Sequence, residues 1–265
     1  MSAGVLRIFP PEMVVRRPHR MIERHIAVYR RQWLIVVSGF FEPLFYLLSM
    51  RAGLGSLVGA VSVGGKQVPY DAFVAPALMA ASAMNGAIFD STGNVLHRLK
   101  YARIYDAALA TPMGPADVAM GEIGWALIRG QIYAIGFLAV MAALGLTNSW
   151  WCLMALPICA LIGLCFASIG FAGTTFMRGW SDMDIVNTLM MPLFLFSATF
   201  FPIAAYGSWA WVVQISPLYH GVALVRAANE GVWSAGLVGH TLFLVALSVA
   251  ALVLAARRVD TLLRK

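Results

Sequence analysis

The sequence predicts an all-α polytopic membrane protein with about six transmembrane helices, an N-terminal amphipathic interface helix and a re-entrant outer helical hairpin between spans five and six. Three observations lead there. Of 265 residues, 60% are hydrophobic and 12% charged, and mean hydropathy is +0.78. One soluble core of this length does not hide that much apolar surface, so a bilayer is the expected solvent. The remaining charges cluster between long uncharged runs. Finally, 15 of the 19 Lys and Arg fall before Trp33, within residues 93–115, at Arg178 or after Ala256, leaving Arg51, Lys66, Arg129 and Arg226 elsewhere. That asymmetry leads to the expectation that both termini are cytoplasmic, and the Arg-over-Lys bias with no organelle targeting pattern agrees with a bacterial plasma membrane.

Residues 1–32 carry Arg7, Arg16, Arg17, Arg20, Arg24, Arg30 and Arg31, while Met21, Ile22, His25, Ile26 and Tyr29 recur at helical spacing. The Pro10-Pro11 turn feeds this segment onto the membrane face as an amphipathic helix. So long a polar start, with no small-residue cleavage pattern after the first apolar run, argues for a retained anchor rather than a signal peptide. The first span runs near Trp33–Met50, broken by Glu42-Pro43, and a Gly-rich loop from Gly53 to Gly65 leads outside to Asp71. A second span follows from Ala72 to Thr92.

The polar stretch Gly93–Pro115, with His97, Arg98, Lys100, Arg103 and Asp106, is too long for a hairpin turn and is expected to form one or two short helices. Pro115 suits a first helical turn and Asp117 complements the positive helix end, so the third span starts near Ala116 and continues to Leu146. After Thr147-Asn148-Ser149 come the interfacial aromatics Trp150 and Trp151. The fourth span, Cys152–Phe176, pairs Gly163 with Ala167 and Ser168 with Ala172 at four-residue spacing, which permits close helix packing. Past the loop Met177–Asp184, a fifth apolar run covers Ile185–Ile203, passing Pro192 and Phe200-Phe201-Pro202. Residues 204–234 hold only short apolar pieces interrupted by Gly207, Pro217 and Gly231, which dip into a bilayer or lie flat on it. The last span, Ala235–Ala256, leads to a cytoplasmic tail at 257–265, so residues 33–256 form one membrane domain.

The net charge of +7 does not point to nucleic acid, because 16 of the 19 basic residues are Arg and most flank apolar runs, where they set topology and contact anionic lipids. Cys152, Cys159 and Cys165 share one apolar run without His or carboxylate company and read as small buried hydrophobes, not metal ligands. Catalysis needs a nucleophile with a base or a ligand cluster, and no HExxH, CxxC or GxSxG occurs. The nearest approach to a phosphate loop, Gly59–Lys66, has its first Gly out of register and is followed by Gln67 where Ser or Thr is needed.

Four ionisable residues stand as candidates for a translocation pathway or for the bundle interior. Glu42 lies mid-way along the first span, water-lined, at a subunit contact or hydrogen-bonded beside the Pro43 break. Asp90, near the inner end of the second span, is expected to cap the interface or to partner an Arg, with a proton relay as the alternative. Arg129 is expected to snorkel toward the cytoplasmic face with help from Glu122. In the outer segment, His220 and Arg226 suit helix stabilisation, headgroup contact or substrate contact.

Several blocks together resemble the membrane subunit of the ABC-2 class of ABC exporters, most closely the nodulation-factor exporter permease type. They are Tyr105-Asp106-Ala107-Ala108-Leu109-Ala110-Thr111-Pro112, Gly121-Glu122-Ile123-Gly124-Trp125, Ala155-Leu156-Pro157 with Gly163 to Gly170, Leu195-Phe196-Ser197-Ala198-Thr199-Phe200-Phe201-Pro202, and Ser216-Pro217-Leu218-Tyr219-His220 with Val225-Arg226. The family often has Gly where Ser197 or Ala198 stands here. The resemblance implies a transport subunit without a cofactor of its own, paired with a second membrane subunit as homodimer or heterodimer. It also implies two copies of an ATPase subunit that carries ATP and Mg. It makes the loop around Asp106 the ATPase-coupling segment, with Asp106 offering charge, Leu109 an apolar anchor and Thr111-Pro112 the helix stop. Phe201, Pro202, Pro217, His220 and Arg226 then belong to the outer re-entrant segment. The expected substrate is an amphipathic lipid-linked, glycolipid or drug-like molecule moved outward. Two alternatives stay open: a proton-coupled secondary transporter using Glu42 or Asp90, and an intramembrane lipid-modifying enzyme.

Overall fold

The computed structural model describes residues 17–31, 41, 44–63 and 65–263. Helix α1 spans Pro18–Arg31, with Pro18 at its start and Arg30 and Arg31 against the negative end of the helix. Met21, His25 and Tyr29 recur every fourth residue and are all buried. These three side chains of the amphipathic helix face protein. Ile26 and Val28 are instead exposed. A face made of one thioether, one imidazole and one phenol is better matched by an aromatic, polar protein surface than by acyl chains.

Helix α2, Leu44–Leu54, continues through the turn Gly55–Val58 into a small antiparallel hairpin, β1 (Ala60–Val63) with β2 (Lys66–Pro69), registered Val61 to Val68. The Gly-rich outer loop is therefore largely ordered, and Gly59 takes φ +66° to turn the chain into it. Most of the first expected span before Leu44, including Glu42, lies outside the described residues.

Helix α3, Tyr70–Tyr101, is 32 residues long. At about 1.5 Å per residue it measures roughly 48 Å, more than the ~30 Å hydrocarbon layer, so one end projects beyond it. The second span was expected to stop at Thr92. It runs on because two π-helical turns, Asp90–Asn94 and His97–Tyr101, carry the polar residues into contact with partners on neighbouring helices. What remains of the loop is short: α4, Ile104–Leu109, and a turn into α5, Pro115–Ala143.

Helix α6, Trp150–Thr174, opens with a 3-10 turn whose first amide region is capped by Ser149. It packs closely on α3: a side chain at Gly170 would collide with Ser91. Helix α7, Ser181–Leu195, has 15 residues, short of the ~20 that cross a bilayer. The outer segment is three short helical pieces: a 3-10 stretch Ile203–Trp209, α8 (Ala210–Ile215) and α9 (Pro217–Glu230). Helix α10, Gly236–Leu263, closes the chain.

Among the described residues four helices, α3, α5, α6 and α10, are long and apolar enough to span a membrane. They are unequal. The apolar part of α3 is 83% buried inside the protein and that of α10 only 17%. Ala75, Ala77, Ala80, Ala81, Ala83 and Ala87 explain the difference, since small side chains let α5, α6 and α9 approach α3 from several sides. Helix α10 packs mainly on α6 and presents Val238, Leu242, Val245 and Val249 outward.

Candidate functional site

At the α1 end, the three helices α1, α3 and α5 meet around a buried charge network. Its geometry follows from spacing. Asp90, Asn94 and Arg98 lie four residues apart on α3, and Glu122, Arg129 and Tyr133 share a face of α5. Arg129 NH1 donates to Asp90 Oδ1 at 2.8 Å and its Nε to the Tyr133 hydroxyl at 2.7 Å. Asn94 Nδ2 donates to the same Asp90 oxygen. Arg98 NH1 donates to Glu122 Oε2, and His25 Nε2 of α1 stands 3.2 Å from Glu122 Oε1, close enough for an ion contact but not aligned for a hydrogen bond. The Tyr29 hydroxyl of α1 accepts from Asn94 and Arg98 at 3.4 and 3.5 Å, near the upper limit.

Side chains of Asp90 and Glu122 are each 1% exposed and those of Arg98 and Arg129 each 10%. Two carboxylates and two guanidiniums thus balance within the protein, which is how ionised groups survive burial. Burial pushes the Tyr29 and Tyr105 phenols above their ordinary range, so both stay neutral at physiological pH.

Interface helix α1 is seated by further contacts. Trp125 of α5 stacks on His25 at 5.4 Å and lies 4.9 Å from the Tyr29 ring. Arg129 sits 5.7 Å above the Tyr29 ring. A Cβ at Gly121 would overlap Met21, and one at Gly124 would come within 3.1 Å of Ile22. Asp117 accepts from the Arg17 amide at 2.7 Å and from the Gly114 amide at 3.0 Å, tying the start of α1 to the start of α5. The block Gly121-Glu122-Ile123-Gly124-Trp125 therefore has a local reason: two gaps, one charge and one ring receive α1.

This arrangement corrects one expectation. Arg129 pairs with Asp90, and Glu122 takes Arg98 and His25. Seven residues on a helix leave Arg129 and Glu122 two turns apart, farther than Asp90 across the α3–α5 contact. His25, Tyr29, Arg98 and Trp125 entered the sequence reading only through helical spacing, polarity or a shared block, not as site residues, and Asn94 and Tyr133 did not enter it at all. The i, i+4, i+8 series Asp90, Asn94, Arg98 was a usable signal, hidden by reading residues after Thr92 as loop.

In the segment around Asp106, Arg103 caps α4 with a left-handed backbone at φ +47°. Asp106, Thr111 and Pro112 are exposed, and Thr111 Oγ1 donates back to the Ala108 carbonyl at 2.6 Å. Leu109 is half-buried and packs on the main core, so it is not a free apolar anchor. Its neighbour Tyr105 is fully buried. Between α1 and this segment lies a groove of about 390 Å³ lined by Arg20, Arg24 and Arg103 with Met21, Ile104 and Met113. Lys100 Nζ donates to the Met177 carbonyl and so fastens α3 to the end of α6.

A second groove, about 290 Å³, opens between α2, α3 and α7. Its walls are mostly apolar, among them Tyr46, Leu78, Met190 and Phe194, with Ser82, Asn85, Thr92 and Asn187 as polar points. The Ser82 hydroxyl is buried there without a partner. Asp90, Glu122 and Arg129 do not line this groove.

At the hairpin end, Pro202 precedes the 3-10 stretch, Phe201 is exposed and Pro217 opens α9. Arg226 and His220 point to different neighbours. Arg226 Nε donates to the Phe73 carbonyl at 3.2 Å, NH2 to the Thr199 carbonyl at 3.1 Å, and its guanidinium lies 3.8 Å from the Phe73 ring centre. Ala198 in the adjoining turn has φ +55°, the conformation for which glycine is best suited. That is where the family's glycine was noted as missing.

Comparison with known proteins agrees with this architecture. The ABC-2 type transporter family matches residues 19–229, from α1 through α9. Nodulation protein J of Rhizobium meliloti (strain 1021) is 32% identical over 216 residues, covering 78% of this chain and 81% of that protein. The same-named protein of Rhizobium leguminosarum bv. trifolii is 33% identical over 216 residues with the same coverage, and that of Sinorhizobium fredii (strain NBRC 101917 / NGR234) 29% over 213 residues, covering 77% and 80%. The match takes in the charge network, the segment around Asp106 and the turn at Ala198 together. The chain belongs to the ABC-2 type transporter family and is a multi-pass membrane subunit of an ABC exporter, a transport component and not itself an enzyme.

Proposed function

We propose that the chain moves an amphipathic lipid-linked, glycolipid or drug-like molecule outward, as one of two membrane subunits worked by two copies of an ATPase subunit that hold ATP and Mg. The α1 end faces the cytoplasm in this reading, because α1, the end of α3, Arg103 before α4 and Arg178 gather basic residues there while Arg51, Lys66 and Arg226 are at the other end. The observation that carries the proposal is the buried network itself. It joins α1 and the root of α4 to the inner ends of α3 and α5, so a push on the exposed segment moves packed helices as a body. Asp106 offers the partner a negative charge, and the Arg20, Arg24 and Arg103 groove beside it offers three positive ones. The α2–α3–α7 groove supports an amphipathic cargo, since apolar walls with a few polar points suit a molecule with both characters. Asp90 is held by Arg129 and Asn94, which speaks against a free proton carrier.

The test is to co-express the chain with the ATPase encoded beside it and to measure co-elution and substrate-stimulated hydrolysis. Wild type is expected to co-elute. Asp106→Arg and Arg103→Glu are expected to weaken the complex while insertion in the membrane is unchanged; Leu109 is avoided because its replacement disturbs the core. Transport by the chain alone in proteoliposomes under a proton gradient would overturn the proposal.

A further inference from the structure

Away from the charge network, two imidazoles converge at the hairpin end. His220 lies in the first turn of α9 and His240 in the first two turns of α10, and their Nδ1 atoms are 2.6 Å apart. Both rings are half-buried. His220 Nε2 is 2.9 Å from the Gln214 carbonyl oxygen. A carbonyl only accepts, so Nε2 carries the proton and the lone pair of Nδ1 is turned toward His240. The Phe243 ring stacks on His220 at 4.0 Å, and the Tyr219 ring stands edge-on to both imidazoles, at 5.4 and 5.6 Å. The pair is therefore oriented by its surroundings rather than left to rotate.

We propose that His220 and His240 form a site for a first-row divalent transition-metal ion such as zinc, bound through both Nδ1 atoms and clasping the outer re-entrant helix α9 to the last span α10. Imidazole nitrogen is a favoured ligand for such ions. A ligating histidine ordinarily gives its other N–H to a carbonyl or carboxylate, which is the role Gln214 fills for His220. In the metal-free state one proton lies between the rings, on His240 Nδ1. Binding moves it to His240 Nε2, leaving two lone pairs for the metal with no net proton released from the neutral pair. Tetrahedral zinc with bonds of about 2.0–2.1 Å needs the two nitrogens roughly 3.3 Å apart, a side-chain rotation rather than a backbone change. Among the described residues no group of three or more His, Cys, Asp and Glu gathers, so water completes the coordination and the site is open and exchangeable. Its place at the hairpin end makes it reachable from the side opposite the coupling segment, independently of how the ATPase docks.

The experiment uses the full chain without an affinity tag, in detergent, titrated with zinc chloride by calorimetry and followed by thermal unfolding. One saturable ion per chain and a raised melting temperature are expected. His220→Ala and His240→Ala should each weaken binding by more than about tenfold, since losing even an outer-shell partner costs about 10–100-fold. His97→Ala, at the other end of the molecule, should change neither reading. Variants are scored only if they elute as the wild type does, and His220→Gln and His240→Gln, which keep polarity and bulk, serve if the alanine forms do not. Binding that persists in both variants, or no saturable binding by wild type below ~1 mM zinc, would overturn the site and leave the pair as a proton-sharing contact between helices.

Discussion

The two ends of the molecule both bury arginine, and they do it by opposite means. At the α1 end, Arg98 and Arg129 face Glu122 and Asp90, charge against charge. At the hairpin end, Arg226 faces two backbone carbonyls and the Phe73 ring, with no carboxylate within ion-pair distance among the described residues. Mutual pairs of buried charges are specific: each member is costly without the other, so the helices that carry them are held in one arrangement. Carbonyls and a ring face are permissive partners, available wherever backbone and aromatic groups are exposed to the guanidinium.

The largest effect should come from breaking one half of a pair. Arg129→Met leaves Asp90 buried beside Asn94 alone and is expected to cost about 3–5 kcal/mol of stability, read as a fall in melting temperature. Adding Asp90→Leu should restore most of that loss, and a double variant as unstable as the single one would break the comparison. Next, Arg226→Met removes two charge-assisted hydrogen bonds and a cation–π contact, at a cost of about 2–3 kcal/mol. No carboxylate stands to be co-deleted there, so no second-site removal of charge should rescue it.

A smaller change sharpens the α1 end. Gly121→Ala places a methyl against Met21 and near the Pro18 carbonyl, and overpacking of this kind costs about 1–3 kcal/mol. It should loosen α1 and reduce co-elution of the ATPase more than it reduces the melting temperature. Smallest is Ala198→Gly at the hairpin end, which relieves a left-handed backbone and should raise stability by about 1 kcal/mol. A destabilised glycine variant would mean that the turn is not strained.

Much of the fold was legible before any coordinates. Long, mostly uncharged runs announce spans because lipid cannot solvate backbone or charge, and the expected spans around α3, α5, α6 and α10 start within a few residues of those helices. Boundaries failed where polar residues stayed helical. His97, Arg98 and Lys100 look like loop in a one-dimensional reading, yet Glu122, Tyr29 and the Met177 carbonyl receive Arg98 and Lys100 and keep α3 going to Tyr101. Asp90, Glu122 and Arg129 were legible as special, because charge inside a span is rare. Their pairing was not, since it depends on how α5 is rotated against α3.

Sequence alone thus determined that this chain lives in a bilayer, roughly where it crosses and which residues carry the family resemblance. These follow from the cost of moving each residue type out of water, a property of composition along the chain. Only the tertiary structure decided that α1 sets His25 and Tyr29 against Trp125, that Asp90 belongs to Arg129, and that His220 meets His240. Those outcomes depend on helix rotation and close approach at small residues such as Gly121 and Gly170, where a single Cβ would change which side chains touch.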